Sequence, residues 1–162
     1  MSEGPVSFGK PMLVLVLAGV AAGGYWYYKN WPTNYTSQGY SVGFPARWIY
    51  EEKGANRVDA TGPLAEDGQG AGAISAHGHG GLEWPGFVFQ TLGVLPDWQE
   101  EVEIDYKKAI KFTYDDGTFR MLAVGVQRGD AVVIYRVGCP KGMFDINRPV
   151  FEKSVKSVQC NR

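Results

Sequence analysis

Residues 109–137 read AIKFTYDDGTFRMLAVGVQRGDAVVIYRV, and their alternation decides the fold class. Ile110, Phe112 and Tyr114 fall on one face of an extended chain, because successive side chains of a strand point to opposite sides. Asp115-Asp116-Gly117 supplies a hairpin turn, Thr118 to Gln127 a second strand, Arg128-Gly129-Asp130 a second turn and Ala131 to Val137 a third strand. Three strands joined by tight turns make an antiparallel meander. Arg128-Gly129-Asp130 also spells a cell-adhesion tripeptide, but a tight turn between strands accounts for those letters.

Downstream, Asn147-Arg148-Pro149 is read as opening a helix that runs to about Val158, with Asn147 as cap and proline tolerated in the first turn. Phe151, Val155 and Val158 recur at spacings of four and three, so one stripe faces the sheet, while Glu152, Lys153 and Lys156 face water. The two cysteines, Cys139 and Cys160, end this strand and this helix. A helix of about ten residues would part them by roughly 15 Å, whereas bridged Cα atoms lie within about 7 Å. A disulfide is thus open only if 142–146 first runs back along the sheet.

Upstream, Gly39 to Phe44 reads as a strand that breaks at Pro45, and Trp48 to Glu52 as the next. Asn56 to Ala60 and Ala71 to Ala76 are shorter strands around a flexible run at 66–70. The stretch 81–98 is dense in aromatics and turn formers, with a short helix within Phe87 to Leu92. Trp84, Phe87, Phe89 and Trp98 are candidates for an apolar partner-contact patch.

The totals are those of an α+β protein rather than a helical bundle, with 22 glycines and 14% aromatic residues. A formal net charge of −1 argues against a nucleic-acid partner, which would need a basic face. The 162-residue chain has room for an anchor and one compact domain.

That anchor is expected at 11–29, beginning Pro11-Met12-Leu13-Val14-Leu15-Val16-Leu17. Roughly 18 uncharged residues give about 27 Å of helix, close to the hydrocarbon core of a bilayer. Tyr25, Trp26, Tyr27, Tyr28 and Trp31 would sit at the membrane interface, and Gly19, Ala22 and Gly23 would let another helix approach closely. The apolar run passes the small residues at 20–22, so a retained signal-anchor is expected rather than a cleaved signal. The organisation is then a tail at 1–10, a transmembrane helix at 11–29, a connector at 30–36 and an extramembrane domain at 37–162. Lys10 and Lys29 flank the span almost symmetrically. A short tail before a long polar domain favours a cytoplasmic N-terminus and a periplasmic domain on the inner or photosynthetic membrane.

A strand ending in Phe44-Pro45, with Trp48 three residues on, resembles the FPxxW opening of PsbP-like domains. The close is similar too: a long meander, then Phe144 and the helix segment Pro149-Val150-Phe151-Glu152-Lys153-Ser154-Val155-Lys156-Ser157. The resemblance spans most of 37–158 and implies a central antiparallel sheet flanked by helices. The best-known members are accessory subunits on the lumenal side of a photosystem. This chain departs from plant-type members in carrying an expected span where they have a soluble extension, so no ion-retention or water-oxidation role is carried over.

His77 and His79 could share a metal with Glu83 nearby, but their glycine-rich surroundings favour two exposed loop histidines, and no metal or cofactor is expected. The glycines at 68, 70 and 72 lack the third glycine and helix of a dinucleotide fingerprint. Asp115 and Asp116 are explained by their turn, and no nucleophile has a paired base in its context. The expectation is a non-enzymatic accessory subunit, partnered by the core and neighbouring subunits of a bacterial membrane complex and by membrane lipid. A photosynthetic reaction-centre or light-harvesting complex is the most specific host. The alternatives are a respiratory complex, or a membrane-anchored periplasmic module that binds a lipid, metal or small ligand.

Overall fold

In the computed structural model the described residues are 9–78 and 83–160, with side chains of the first helix described at 17–27, 29 and 30. The chain divides into two compact units between Trp31 and Pro32.

The first unit holds α1, Gly9–Asn30, of 22 residues. Its C-terminal end is closed by the Asn30 side chain, which donates to the Trp26 carbonyl at 2.8 Å, and by Trp31 stacked on Tyr27 with ring centroids 4.7 Å apart. Among the described residues no helix is long and apolar enough to cross a membrane. The expectation of a transmembrane helix over 11–29 is therefore met only as to its helix. The aliphatic run at 11–16 lies outside the described side chains, and from Leu17 onward three glycines and four aromatic residues dilute the apolar character.

The second unit is α+β. β1 (Thr33–Thr36) and β2 (Ser41–Phe44) form an antiparallel pair, Thr33 opposite Phe44 and Thr36 opposite Ser41. The residues read as a connector thus hold a strand in their second half. β3 (Ile49–Glu52), β4 (Arg57–Pro63), β5 (Gln69–Gly78), β6 (Trp98–Ile104), β7 (Lys107–Asp115), β8 (Phe119–Arg128) and β9 (Ala131–Pro140) make one seven-stranded sheet in the order β3-β4-β5-β9-β8-β7-β6. Every neighbouring pair is antiparallel. The expected meander is β7-β8-β9, and β5 closes against its far side.

Each face of the sheet has its own helix. α3 (Phe144–Lys156) lays Phe144, Phe151 and Val155 against Leu122, Val124, Tyr135 and Val137, with Phe44 and Trp48 filling the same core. α2 (Gly86–Leu92) lays Phe87 and Val88 on Ile110, Phe112, Met121, Ala123, Val132 and Ile134 of the other face. Gly125 permits that approach, since a Cβ there would lie 2.8 Å from a Val88 methyl.

Trp48 explains the glycine run that reads as a flexible linker. Its indole is 2% exposed, donates from Nε1 to the Pro63 carbonyl at 3.0 Å, and meets Phe151 edge-on. It lies flat on the glycines of β4 and β5: a Cβ at Gly70 would sit 2.5 Å from the ring, and one at Gly62 closer still. The glycines make a floor for a ring.

α3 starts three residues earlier than the sequence pattern places it, so Asn147 and Pro149 lie within the helix rather than at its opening. Asn147 is buried and is no cap: its amide donates to the Met143 carbonyl at 2.8 Å and its Oδ1 accepts from the Ala65 amide at 3.0 Å, tying the helix to the loop after β4. Glu152, expected in water, is partly covered and pairs with Lys111 of β7 at 3.2 Å. Cys139 and Cys160 are both buried and both free.

Candidate functional site

α2 has seven residues and reaches only part of its face of the sheet. Beyond it, the strands β4, β5 and β9 present one continuous row of side chains. Register fixes their neighbours: Asp59 is opposite Ala73, which is opposite Arg136, and Arg57 is opposite Ser75, which is opposite Ile134. On β9 the alternation Val132, Ile134, Arg136 runs from residues covered by α2 to one that is not. Small side chains at 71, 73 and 75 leave the space above β5 unfilled.

The result is an open cavity of about 600 Å³ lined by Lys53, Asn56, Arg57, Ser75, His77 and Arg136, with Thr91 and Leu92 of α2 as one wall. A second cavity of about 220 Å³ adjoins it, sharing Arg57 and Arg136 and extending to Asp116 and Met121. The first is within the range of small-molecule sites.

The charges there are unequally matched. Arg57 is held in a fork by Asp59, at 2.7 and 3.1 Å, which raises its pKa. Lys53 meets Glu51 at 2.7 Å in an exposed pair. Arg136 has no carboxylate at ion-pair distance among the described residues. The buried Tyr114 hydroxyl has no hydrogen-bond partner at normal geometry. Burial raises its pKa, and the nearby Arg136 guanidinium opposes that rise. His77 shares a 2.8 Å hydrogen bond between Nε2 and the Ser75 hydroxyl. Burial first, then Arg136 and Arg57, push its pKa below the ordinary 6.5, so the imidazole is neutral at pH 7.

Of the described residues weighed by sequence for chemistry, His77 lines the first cavity, from the end of β5 rather than from a loop, and Asp116 reaches the second. His79 lies outside the described residues, and among those described no three of His, Cys, Asp and Glu cluster for a metal. The expected aromatic patch is divided. Phe87 is buried in the core under α2, and Phe89 packs edge-on to Phe112 at 5.0 Å. Trp84 is partly buried against the same cluster. Trp98 alone is exposed, at 38%, on β6, with Lys111 and Arg148 over its ring. In α1, Tyr25, Trp26 and Tyr27 are exposed, as is Trp31 just beyond it, and a Cβ on Gly19 or Gly23 meets nothing within 4 Å. Ala22 is exposed as well, and the side chain of Tyr28 is outside those described. Arg57, Ser75 and Arg136 were not singled out by sequence. The available signal was Arg136, a lone charge continuing an apolar face of a central strand.

No protein-family model matches the chain, and no curated protein does. Among solved structures, the cyanobacterial PsbP (CyanoP) of Synechocystis sp. PCC 6803 aligns with a TM-score of 0.58 at 14% identity, over 80% of this chain and 92% of its own. The fold is PsbP-like. PA94 of Pseudomonas aeruginosa, a protein of unknown function, matches with a TM-score of 0.54 at 14% identity, over 79% of this chain and 96% of its own. A Bacteroides thetaiotaomicron VPI-5482 protein matches with a TM-score of 0.54 at 17% identity, over 83% of this chain and 49% of its own. At these identities the likeness concerns the fold alone.

Proposed function

We propose that the protein is a non-catalytic accessory subunit, tethered by its N-terminal helix to a bacterial membrane complex, with its PsbP-like domain on the periplasmic face. The observation that carries this reading is α1. Leu17, Val20, Tyr25 and Trp26 are each more than half exposed, and continuous with them in sequence is the aliphatic run at 11–16. Lipid together with neighbouring helices would cover such a surface, which supports the tether. The PsbP-like fold, shared with a cyanobacterial protein named for a photosystem family, supports a photosynthetic reaction-centre or light-harvesting complex as the most specific host; a respiratory complex is the next.

Alkaline carbonate extraction of membranes tests the tether. The protein is expected in the pellet, and release into the supernatant would refute the anchor. A second reading, a tethered module that binds a small ligand, is favoured by one observation: the cavity beside Arg136.

A further inference from the structure

We propose that the cavity between β4, β5, β9 and α2 is a binding site for a small-molecule oxyanion, a phosphate or carboxylate group, received chiefly by Arg136. A guanidinium offers five N–H donors in a fixed fork suited to two oxygens of one anion. Arg57 already spends its fork on Asp59. Arg136, directly across Ala73 from that pair, has no carboxylate of its own among the described residues. Beside it lies the buried Tyr114 hydroxyl, which makes no hydrogen bond of normal geometry and interacts with the Arg136 guanidinium itself. Buried polar groups are nearly always satisfied, and each exception calls for a cause.

The surroundings fit an anion of modest size. The floor is made of Ala71, Ala73 and Ser75, so space is left directly over the strand. Asn56 and the Ser75–His77 pair supply neutral polar contacts at the rim. The charged and titratable groups facing His77 and the two cavities are Lys53, Arg57, Asp59, Asp116 and Arg136; α2 contributes only Thr91 and Leu92 to the lining. The arginines that depress the His77 pKa mark the local potential as positive. An anion seated at Arg136 would offset that potential, so binding would favour proton uptake by His77. This inference does not rest on the tether, since it concerns only the second unit.

The test is a titration of the full chain in detergent, following the His77 imidazole signals by NMR, assigned with His77→Gln. Inorganic phosphate and citrate are added in separate arms, against chloride at matched ionic strength. The expected result is a saturable shift with phosphate or citrate and an upward move of the His77 pKa, neither of them seen with chloride. Whichever arm saturates at lower concentration identifies the preferred oxyanion. Arg136→Gln is expected to weaken binding by ~10-fold or more, the order for losing a charged hydrogen bond. Arg136→Lys, which keeps the charge without the fork, is expected to restore part of it and covers the case in which the glutamine variant does not fold. Equal shifts from all three anions, or unchanged binding in a folded Arg136 variant, would overturn the proposal.

Discussion

The packing of Trp48 on glycine makes a prediction whose size follows from the structure. At Gly70 an added Cβ would meet the indole at 2.5 Å and Leu64 at 2.8 Å. The ring cannot yield freely. The ring is held by its hydrogen bond to Pro63 and by Phe151. Overpacking of this kind costs about 1–3 kcal/mol, so Gly70→Ala is expected to lower stability by about 2 kcal/mol. Trp48→Ala loses the ring and strands the Pro63 carbonyl, for about 3–5 kcal/mol. In the Trp48→Ala background the indole contact is gone and only the Leu64 methyl stays near the added Cβ, with the vacated ring space to move into. Gly70→Ala is then expected to be neutral or to stabilise by about 0.5 kcal/mol, as alanine replaces glycine in a strand. The coupling energy is therefore about 2 kcal/mol, well outside the few tenths expected of independent sites. Urea unfolding of the four proteins, followed by near-ultraviolet circular dichroism, measures it. For a domain of this size 2 kcal/mol corresponds to about 8 °C in Tm. Additive effects of the two substitutions would refute the account of the glycine run.

Two further expectations come from titrating groups. Burial pushes both the Cys139 and the Cys160 thiols up to about 11, so only ~1 in 1,000 is thiolate at pH 8. A thiol reagent should find none in the native protein and both after denaturation without reductant; fewer than two would reveal a disulfide. His77 has a pKa below its unfolded value of 6.5. Its contribution to stability is complete above about pH 6.5 and is lost as pH falls through the folded value, because the unfolded chain then binds more protons. Denaturant midpoints for wild type and His77→Gln should converge with rising acidity over that window, and parallel curves would refute the assignment.

The meander was legible because β7, β8 and β9 alternate strongly and their turns carry Asp-Gly and Gly-Asp. β6, with the sequence WQEEVEI, was not, because an edge strand largely exposed on both faces loses its period-two signal. β5 was legible only in part: 71–76 read as a strand, but Gln69 and Gly70 look like the end of a flexible run until the ring above Gly70 is seen. The start of α3 was misplaced because Pro149 reads as a first-turn proline, whereas a single turn of 3₁₀ helix at Lys141–Met143 leads into the helix earlier. The candidate site was the least legible. It depends on register between β4, β5 and β9, which sets Arg57, Ser75 and Arg136 close together from positions far apart in sequence. His77 was seen for its imidazole, but its partner is a serine two residues away across the same strand face, not a second histidine.

The central claim, an accessory subunit held in a larger membrane assembly, is tested most directly by mild-detergent solubilisation of native membranes and a blue-native gel probed for this chain. Co-migration with a multi-subunit complex, lost when Gly19→Leu and Gly23→Leu crowd the helix face, is the predicted result. A chain that runs as a monomer under every mild condition would contradict it.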